Sequence, residues 1–379
     1  MYKIVNGRLE LGPGELELDP SELEQDPGEL EQDPGEDSRA DLNGPPPPDT
    51  PPKKTDGKKK GRDLIPLTPT VRDKLINKKP VTITLRQGQC PGDILTLTAA
   101  VRDLKAKFNN VQLTMRTSAH PLWENNPHIM EAHSHSVEEG GQTDVDLNLS
   151  YPLINTANQC GKHFIHGFKE ELESKLQISF PLTAFKCDVH LSQEEKQWAN
   201  QVHHEFNYAG KFWVINSGSK NDFPLKQWSH AYWQEVVDAL RGTVQFVQVG
   251  EEGHNHQPLE GVFNLIGKTD IRQLVRLCYH AEGAICHVTM LNHLMSVWEK
   301  PCVVIAGGRE SAGWEAYNET SYLDTIGALP CCKSGGCWKS KVKDCLWMEG
   351  QYPRCMNMIT PADVVRAVEK YYIGNRLKW

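Results

Sequence analysis

The sequence predicts an α/β protein with two Rossmann-like domains in tandem, each a doubly wound parallel sheet with helices on both faces. Short apolar runs alternate with amphipathic helical patterns along most of the chain, which is typical of parallel sheets. The alternation occurs in two successive blocks, 81–209 and 210–379. A chain of 379 residues is long enough to bury the cores of two such domains.

The first block begins as a β-α-β unit. "VTITL" from Val81 predicts a buried strand, and the loop "RQGQCPGD" follows it. A helix is predicted from apolar residues at helical spacing, and "VQLTM" is the next strand. Residues 161–176 form an amphipathic pattern. "SQEEKQWANQVHHEF" starts with a capping box, Ser192 to Glu195, and predicts one helix leading out of the domain.

The second block repeats the pattern more clearly. Predicted strands are "KFWVINSG", "VQFVQVG", "FNLIG", "GAICHV" and "PCVVIAGG", and the helices between them include "SHAYWQEVVDAL", "DIRQLVRLCYHA" and "LNHLMSVWE". A closing helix over 360–372 has Thr360 as its N-cap and Pro361 at its first position.

Residues 1–62 differ from the rest of the chain. The seven-residue repeat "ELELDPS ELEQDPG ELEQDPG" carries a proline in every copy, which excludes a coiled coil. Because apolar residues are few, we expect a disordered low-complexity tail, followed by a linker over 63–80. Such a tail is suited to solubilising the protein, or to docking on a partner or a membrane surface.

Composition narrows the function class. A net charge of −8 makes a nucleic-acid partner unlikely for the surface as a whole. No apolar run reaches the roughly 18 residues that a membrane span requires, and no signal-peptide pattern opens the chain. We therefore expect a cytoplasmic protein, and the sequence is compatible with an oligomer.

Candidate site residues follow from the sheets, because open parallel sheets bind ligands at the carboxyl ends of their strands. Asp93 precedes the first helix, where it is either its N-cap or a carboxylate base facing a cleft. Lys226, like most loop lysines, is solvated or else neutralises a phosphate. His293 lies within a helix and is either a packing residue or a site residue. Further candidates for donor binding are small residues, backbone N–H groups and loop residues at strand ends: Ser217, Gly218, Ser219, Gly250, Glu251, Thr289, Met290 and Leu291.

Cysteines cluster near the C-terminus. Of 11 in the chain, five fall within 331–355. The spacing of Cys332, Cys337, Cys345 and Cys355 predicts one structural zinc or iron ion in a tetrahedral thiolate site, with Cys331 as a substitute for Cys332. Free buried cysteines or a redox pair are the alternatives. The other cysteines, Cys160 among them, are expected in the core or in loops.

Three segments together resemble glycosyltransferase family 9, the ADP-heptose heptosyltransferases. They are "GQCPGDILTLTAAVRDL", "INSGSKNDFPLKQWSHAYWQEVV" and "HVTMLNHLMSVWEKPCVVIAGG". The resemblance covers about 81–372 and is nearest to the cysteine-containing branch that includes bacterial autotransporter heptosyltransferases. The family's usual Asp-Thr-Gly is replaced here by residues 287–290, "HVTM", so an acid and a glycine are absent.

The resemblance implies a GT-B fold and an inverting transfer of heptose or a related sugar from a nucleotide-diphosphate donor, ADP-heptose-like, to an acceptor hydroxyl. It assigns the catalytic base to Asp93. The acceptor is open: a lipid-linked saccharide, a protein side chain, a small molecule or a modified nucleobase. Two alternatives are a metal-stapled nucleic-acid-binding protein and a nucleotide-sugar epimerase on the same scaffold.

Overall fold

The computed structural model describes residues 2–5, 8–11, 69–135, 143–153, 161–221, 224–333, 335–337, 345–373 and 376–377. The chain forms two compact units, 1–60 and 61–379. Both predicted Rossmann-like domains fall within the second unit. No helix among the described residues has the length and apolar character needed to cross a membrane.

The first unit contains a β-hairpin that the sequence analysis did not predict. β1 (Tyr2–Val5) pairs antiparallel with β2 (Arg8–Leu11). The sequence between them is Asn6-Gly7, the pair preferred in two-residue hairpin turns, and this signal was available in the sequence. The proline repeat, the basic segment 53–62 and the rest of the predicted tail lie outside the described residues.

The first sheet of the larger unit is parallel, and in the described part of the chain its strand order is β5-β4-β3-β6. Helix α1 lies in the stretch predicted as a linker, because Val71 and Leu75, one helical turn apart, are buried in the core. The elements are α1 (Pro69–Ile76), β3 (Val81–Gln87), α2 (Pro91–Lys107), β4 (Val111–Thr117), β5 (Glu131–Ser134), β6 (Val145–Asn148) and α3 (Phe164–Leu176).

The predicted helix between the sheets is broken in two. α4 (Gln193–Gln197) has the expected capping box between Ser192 and Glu195. Trp198 then adopts an extended conformation, and α5 (Gln201–Phe206) starts afresh with Asn200 as its N-cap. The asparagine side chain accepts a hydrogen bond from the His203 N–H, which stabilises a new start rather than continuation of α4.

The second sheet is also parallel, with the order β12-β11-β10-β7-β8-β9 among the described residues. Thr289 caps α8, and Ser229 is the N-cap of α6 without a side-chain hydrogen bond. The elements are β7 (Trp213–Asn216), α6 (His230–Ala239), β8 (Phe246–Gln248), β9 (Phe263–Asn264), α7 (Ile271–His280), β10 (Gly283–His287), α8 (Met290–Val297), β11 (Cys302–Gly307), α9 (Ala312–Glu315) and β12 (Thr320–Asp324).

Alternation along the second sheet's strands explains why helices cover both its faces. Trp213 and Ile215 of β7 pack into one apolar cluster, while Val214 between them packs into another. Successive side chains of a strand point to opposite faces, so a strand that is apolar throughout requires cover on both sides. The cluster containing Val214 also contains residues of the first sheet, such as Ile83, so the two sheets share one core.

The C-terminal segment contains short elements: β13 (Met348–Glu349), β14 (Tyr352–Pro353), α10 (Arg354–Asn357), α11 (Pro361–Glu369), β15 (Tyr372–Ile373) and β16 (Arg376–Leu377). Thr360 and Pro361 begin α11 as predicted. The helix ends at Glu369 rather than 372, because Tyr372 begins a strand that pairs with β16.

Strand order places the binding cleft. In the first sheet the order reverses between β3 and β6, and in the second between β7 and β10. Ligands of open parallel sheets bind outside the carboxyl ends of the strands at such a reversal. The loop before α2 and the loop before α8 each leave a strand next to one of these reversals. Functional side chains are therefore expected around the first turns of α2 and α8.

The burial of α1 yields a prediction with a matched control. Leu75 is 1% exposed and Ile76, its neighbour, is 51% exposed. Leu75→Ala should lower the free energy of unfolding by about 2–5 kcal/mol, because it leaves a cavity in the core. Ile76→Ala should change it by less than about 1 kcal/mol. Urea unfolding of both variants measures the difference, and equal effects would show that α1 does not pack on the core.

Candidate active site

Asp93 lies in the first turn of α2, at its third residue, so it is not the N-cap, which was one of the two alternatives for this residue. Cys90 is the N-cap, and its backbone N–H donates to Asp93 Oδ2 at 3.2 Å. The carboxylate therefore reaches back over the start of the helix, where the helix dipole favours negative charge. Pro91 at the first helical position fixes where the helix begins.

The start of α2 touches the start of α8, which follows the second sheet's β10. A side-chain carbon placed on Gly92 would lie 3.3 Å from the imidazole of His293 and 3.6 Å from the Cα of Met290. Even one added carbon at Gly92 would require the His293 ring to shift by a few tenths of an ångström. This contact brings Asp93 of the first sheet next to the loop and helix of the second.

His293 is held by the segment that follows β11. Its Nε2 lies 2.8 Å from Glu315 Oε2, and its Nδ1 lies 2.7 Å from the Tyr317 hydroxyl. All three side chains are buried. Burial alone would raise the pKa of Glu315, but His293 outweighs that effect and holds the pKa below its ordinary value. Glu315 is therefore an anion at neutral pH, and both nitrogens of His293 are engaged within the protein.

This anion changes the behaviour of Asp93. Burial, followed by repulsion from Glu315, raises the pKa of Asp93 to about 6, although His293, the Cys90 N–H and Lys226 act in the opposite direction. A carboxylate with a pKa near neutrality is mostly ionised at pH 7 and is a stronger base than an ordinary aspartate. Perturbed carboxylates in clefts are typical of catalytic sites.

Lys226 ends a short 3-10 helix, 224–226, between β7 and α6. Its ammonium is 3.1 Å from Glu310 Oε1 and donates to the Val288 carbonyl at 3.2 Å. Val288 directly precedes Thr289, the N-cap of α8. The ammonium therefore lies beside the N-terminus of α8, and the two positive ends face the same space.

The predicted Ser-Gly-Ser turn lies beneath the loop that follows β8. Ser217 and Ser219 are buried, and the Ser217 hydroxyl accepts from Gln248 Nε2 at 2.8 Å. A side chain on Gly218 would collide with the backbone of Asn255 and the ring of His256, so only glycine fits there.

Two predicted donor-binding residues, Gly250 and Glu251, lie on the loop that follows β8. A side-chain carbon on Gly250 would collide with the His256 ring, whereas Glu251 is exposed. The Glu251 carboxylate lies 3.3 Å from His254 Nδ1.

His287, at the end of β10, contacts both ends of the connection between β7 and α6. The Trp228 N–H donates to its Nε2 at 3.2 Å, so the ring proton is on Nδ1, which donates to the Gly218 carbonyl at 3.1 Å. Burial lowers the pKa of His287 to about 4, so the ring is neutral at pH 7. A neutral imidazole thus lies at the end of β10, two residues before the N-cap of α8.

Several residues of the site were missed by the sequence analysis. Glu310, Glu315 and Tyr317 lie in the connection between β11 and β12, where no helical periodicity marks them. Tyr151 lies just after β6, and burial, with Asp93 and Glu315 nearby, raises its pKa above the usual range. His163 caps α3 and packs edge-on against Tyr317, with ring centroids 4.8 Å apart. For Tyr151 and Glu310, each three residues after a strand, position after a strand end was the signal available in the sequence.

The predicted metal cysteines lie together beside β11. Cys331, Cys337, Cys345 and Cys355 line one cavity, whose wall also includes Leu225 and Arg309. Cys332 is 1% exposed, and its thiol lies 3.4 Å from the carbonyls of Thr325 and Leu329.

The described cysteines are all free thiols. Cys187, Cys278, Cys286 and Cys302 are buried as expected, while Cys90 is exposed and Cys160 lies outside the described residues.

The chain has two parallel Rossmann-like sheets, and the candidate site lies where α2 of the first approaches α8 of the second. Residues 162–335 match the model of glycosyltransferase family 9 (heptosyltransferase), a segment that begins before α3 and ends in the cysteine region. The match confirms the resemblance to that family and supports a glycosyltransferase enzyme.

Solved structures have the same fold. A glycosyl transferase family 9 protein from Veillonella parvula aligns with a TM-score of 0.57 at 16% identity, over 76% of this chain and 96% of its own. The iron-containing dodecameric glycosyltransferase TibC from enterotoxigenic E. coli aligns with a TM-score of 0.56 at 16% identity, over 77% of this chain and 76% of its own. E. coli ADP-heptose LPS heptosyltransferase II aligns with a TM-score of 0.52 at 15% identity, over 76% of this chain and 98% of its own. No curated protein matches the chain significantly.

The raised pKa of Asp93 predicts a pH dependence of stability. The folded protein disfavours the ionised form, so the stabilisation present below about pH 4 is lost as pH rises through about 6. The loss is at most about 3 kcal/mol, since one pKa unit is about 1.4 kcal/mol. Asp93→Asn keeps an acceptor for the Cys90 N–H and does not ionise. Urea unfolding of both proteins at pH 4 to 7.5 should show wild type falling relative to the variant. A constant difference would contradict the prediction.

Proposed function

We propose that this protein is an inverting glycosyltransferase that moves a heptose or related sugar from a nucleotide-diphosphate donor to an acceptor hydroxyl. The observation that carries the proposal is the meeting of α2 and α8. It sets Asp93, a carboxylate with a pKa raised to about 6, opposite the N-terminus of a helix from the second sheet. A base and a centre of positive potential face each other across one cleft.

In the proposed reaction Asp93 removes the proton from the acceptor hydroxyl. The oxygen attacks the anomeric carbon of the sugar while the nucleotide diphosphate leaves from the opposite face, which inverts the configuration. The raised pKa suits this step, because proton transfer is most efficient when the base has a pKa close to the working pH. Glu315, kept ionised by His293, helps to maintain that raised pKa.

The departing diphosphate requires positive potential. Lys226 and the first N–H groups of α8, at Met290 and Leu291, supply it in our proposal. Each donor of this kind is worth about 3–4 kcal/mol in other enzymes. Glu310 holds the ammonium in the absence of donor, so binding exchanges one anionic partner for another. The remaining contacts are assigned to Ser217–Ser219, Gly250, Glu251 and Thr289.

His293 enters this proposal as a positioning residue. Both ring nitrogens are taken by Glu315 and Tyr317, so the ring has no nitrogen to offer a donor without breaking one of those contacts. Its edge packs against the backbone of α2 at Gly92. It therefore sets both the charge of Glu315 and the distance between the two helices.

The identity of the donor is proposed from similarity. TibC is described in complex with ADP-D-β-D-heptose, and the second E. coli structure is an ADP-heptose heptosyltransferase. An ADP-heptose-like donor is accordingly the first to test. A lipid-linked saccharide, a protein side chain, a small molecule or a modified nucleobase remain the acceptors to screen.

Two substitutions separate the base from the diphosphate contact. Asp93→Asn should lower sugar transfer about 10²-fold or more, because it removes the proton acceptor, while ADP affinity stays close to wild type. Lys226→Ala should weaken ADP binding by roughly 1.5–3 kcal/mol, the range for a charge-assisted hydrogen bond. Mass spectrometry of transfer from ADP-heptose and calorimetry with ADP measure the two effects.

Lys220→Ala is the matched control for the lysine, since Lys220 is exposed in the same loop between β7 and α6. It should change ADP affinity little. Near-full turnover in Asp93→Asn would remove Asp93 as the base. Equal effects of the two lysine substitutions would show that Lys226 contributes only general positive charge.

We further propose that the cysteine segment holds one structural zinc or iron ion. The donor chemistry fits, since four sulfurs are the preferred ligands of both metals in tetrahedral sites. The geometry favours Cys331, Cys337, Cys345 and Cys355, the four that line the cavity, over the set containing Cys332. These sulfurs are not yet within 4.8 Å of one another, so the ion would draw them together. Bound metal would order a segment that has few aliphatic residues.

Neighbouring cysteines provide a test of this ligand set. Cys331→Ser should lower the metal content of purified protein from about one ion per chain, because it removes a thiolate from the cavity. Cys332→Ser should keep that content, because a serine hydroxyl can donate to the same carbonyls of Thr325 and Leu329. Elemental analysis measures both, with Cys187→Ser as the distant control. Loss of metal in Cys332→Ser alone would reverse the assignment, and a metal-free wild type would exclude the site.

A further inference from the structure

A second group of metal-type ligands lies outside the residues discussed so far. His128, Asp188 and His190 each offer one ligand atom, and these atoms all lie within 4.8 Å of one another. Asp188 Oδ2 is 3.4 Å from His128 Nε2 and 2.9 Å from His190 Nε2. The two imidazole rings meet edge to face, with centroids 5.7 Å apart. In each ring it is Nε2 that faces Oδ2 of Asp188.

The three residues come from two separate parts of the chain. His128 lies in the loop between β4 and β5 of the first sheet, whereas Asp188 and His190 lie in the segment that connects α3 to α4. Residues 60 positions apart in sequence therefore converge on one point.

The backbone of each residue is fixed by a side chain outside the group. The His128 N–H donates to Asn126 Oδ1 at 2.8 Å, and the Asp188 N–H donates to Thr98 Oγ1 at 2.8 Å. The His190 carbonyl accepts from Arg272 Nη2 at 2.7 Å. A site that is held in place before its ligand arrives loses less conformational entropy on binding.

The distances and exposure suit a small cation. Ligand atoms about 2.0–2.1 Å from a tetrahedral zinc ion are about 3.3 Å apart, close to the two spacings around Asp188. The three side chains are 17–31% exposed, so an ion can reach them from solvent. An aspartate carboxylate is ordinarily ionised at neutral pH, so Asp188 offers the ion a charged oxygen ligand.

We propose that His128, Asp188 and His190 bind a divalent transition-metal ion such as Zn²⁺, with water in the remaining coordination position. Imidazole nitrogens and a carboxylate oxygen are ligands that zinc accepts in proteins. The ion links the loop before β5 to the segment between the two sheets. It is separate from the cysteine ion, since it uses no sulfur ligand.

Zinc titration of the full-length protein tests this site. Wild type is dialysed against micromolar Zn²⁺, and bound metal is counted by mass spectrometry. His190→Gln and Asp188→Asn should each lower the zinc affinity of this site about tenfold or more, so that each variant binds about one ion fewer than wild type at micromolar Zn²⁺. His203→Gln is the control, since His203 is exposed on α5 and outside the group. It should bind as wild type does.

Cobalt separates this site from the cysteines and does not depend on a variant that folds. Co²⁺ bound to nitrogen and oxygen shows visible d–d bands without the intense near-ultraviolet bands of thiolate coordination. In wild type with both sites filled, the total bound Co²⁺ should exceed the amount that the thiolate bands account for. Equal zinc stoichiometry in wild type, His190→Gln and Asp188→Asn, or cobalt accounted for entirely by thiolate bands, overturns the proposal.

Discussion

The close approach of α2 to α8 is the constraint on which the candidate site depends. Glycine at position 92 lets the backbone of one helix come within van der Waals distance of His293 and Met290 on the other. The two helices follow strands of different sheets, so this contact also fixes how the sheets meet. Asp93 is the next residue after the glycine. Its position relative to the second sheet is therefore set by backbone packing rather than by a flexible side chain.

The charges and burial around that contact shift the pKa values of Glu315 and Asp93 in opposite directions. His293 lies against Glu315 at 2.8 Å and holds the pKa of that carboxyl below its ordinary value. Burial, followed by repulsion from Glu315, raises the pKa of Asp93 to about 6, and the smaller opposing effect of His293 does not cancel them. This is the arrangement by which a cleft keeps one carboxylate permanently charged and makes the other a titrating base near neutrality.

The sequence predicted what depends on local periodicity and missed what depends on tertiary contacts. The β3-α2-β4 unit and the strands of the second sheet follow from apolar alternation, and Asp93, Lys226 and Thr289 follow from their places after strand ends. Glu315 could not be found this way, because α9 is too short to have a period. The break at Trp198 was also missed, since the capping strength of Asn200 competes with a continuous helical pattern. The choice between Cys331 and Cys332 depends on which way each side chain turns, and adjacent residues give the sequence no means of deciding.

The cysteine segment and the proposed diphosphate contact are neighbours, which connects stability to function. Leu225 and Arg309 line the cysteine cavity, and the residues directly after them are Lys226 and Glu310, the ion pair of the donor site. The Cys337 N–H donates to the Gly308 carbonyl at 3.2 Å, and the Thr325 hydroxyl donates to the Cys355 carbonyl at 3.0 Å. The segment is therefore hydrogen-bonded to the residues that directly follow β11 and β12. A well-ordered cysteine segment would therefore also restrict the positions of the loops that carry Lys226 and Glu310. A structural ion at that place would act on donor binding through the packing of Leu225 and Arg309, without contacting the donor.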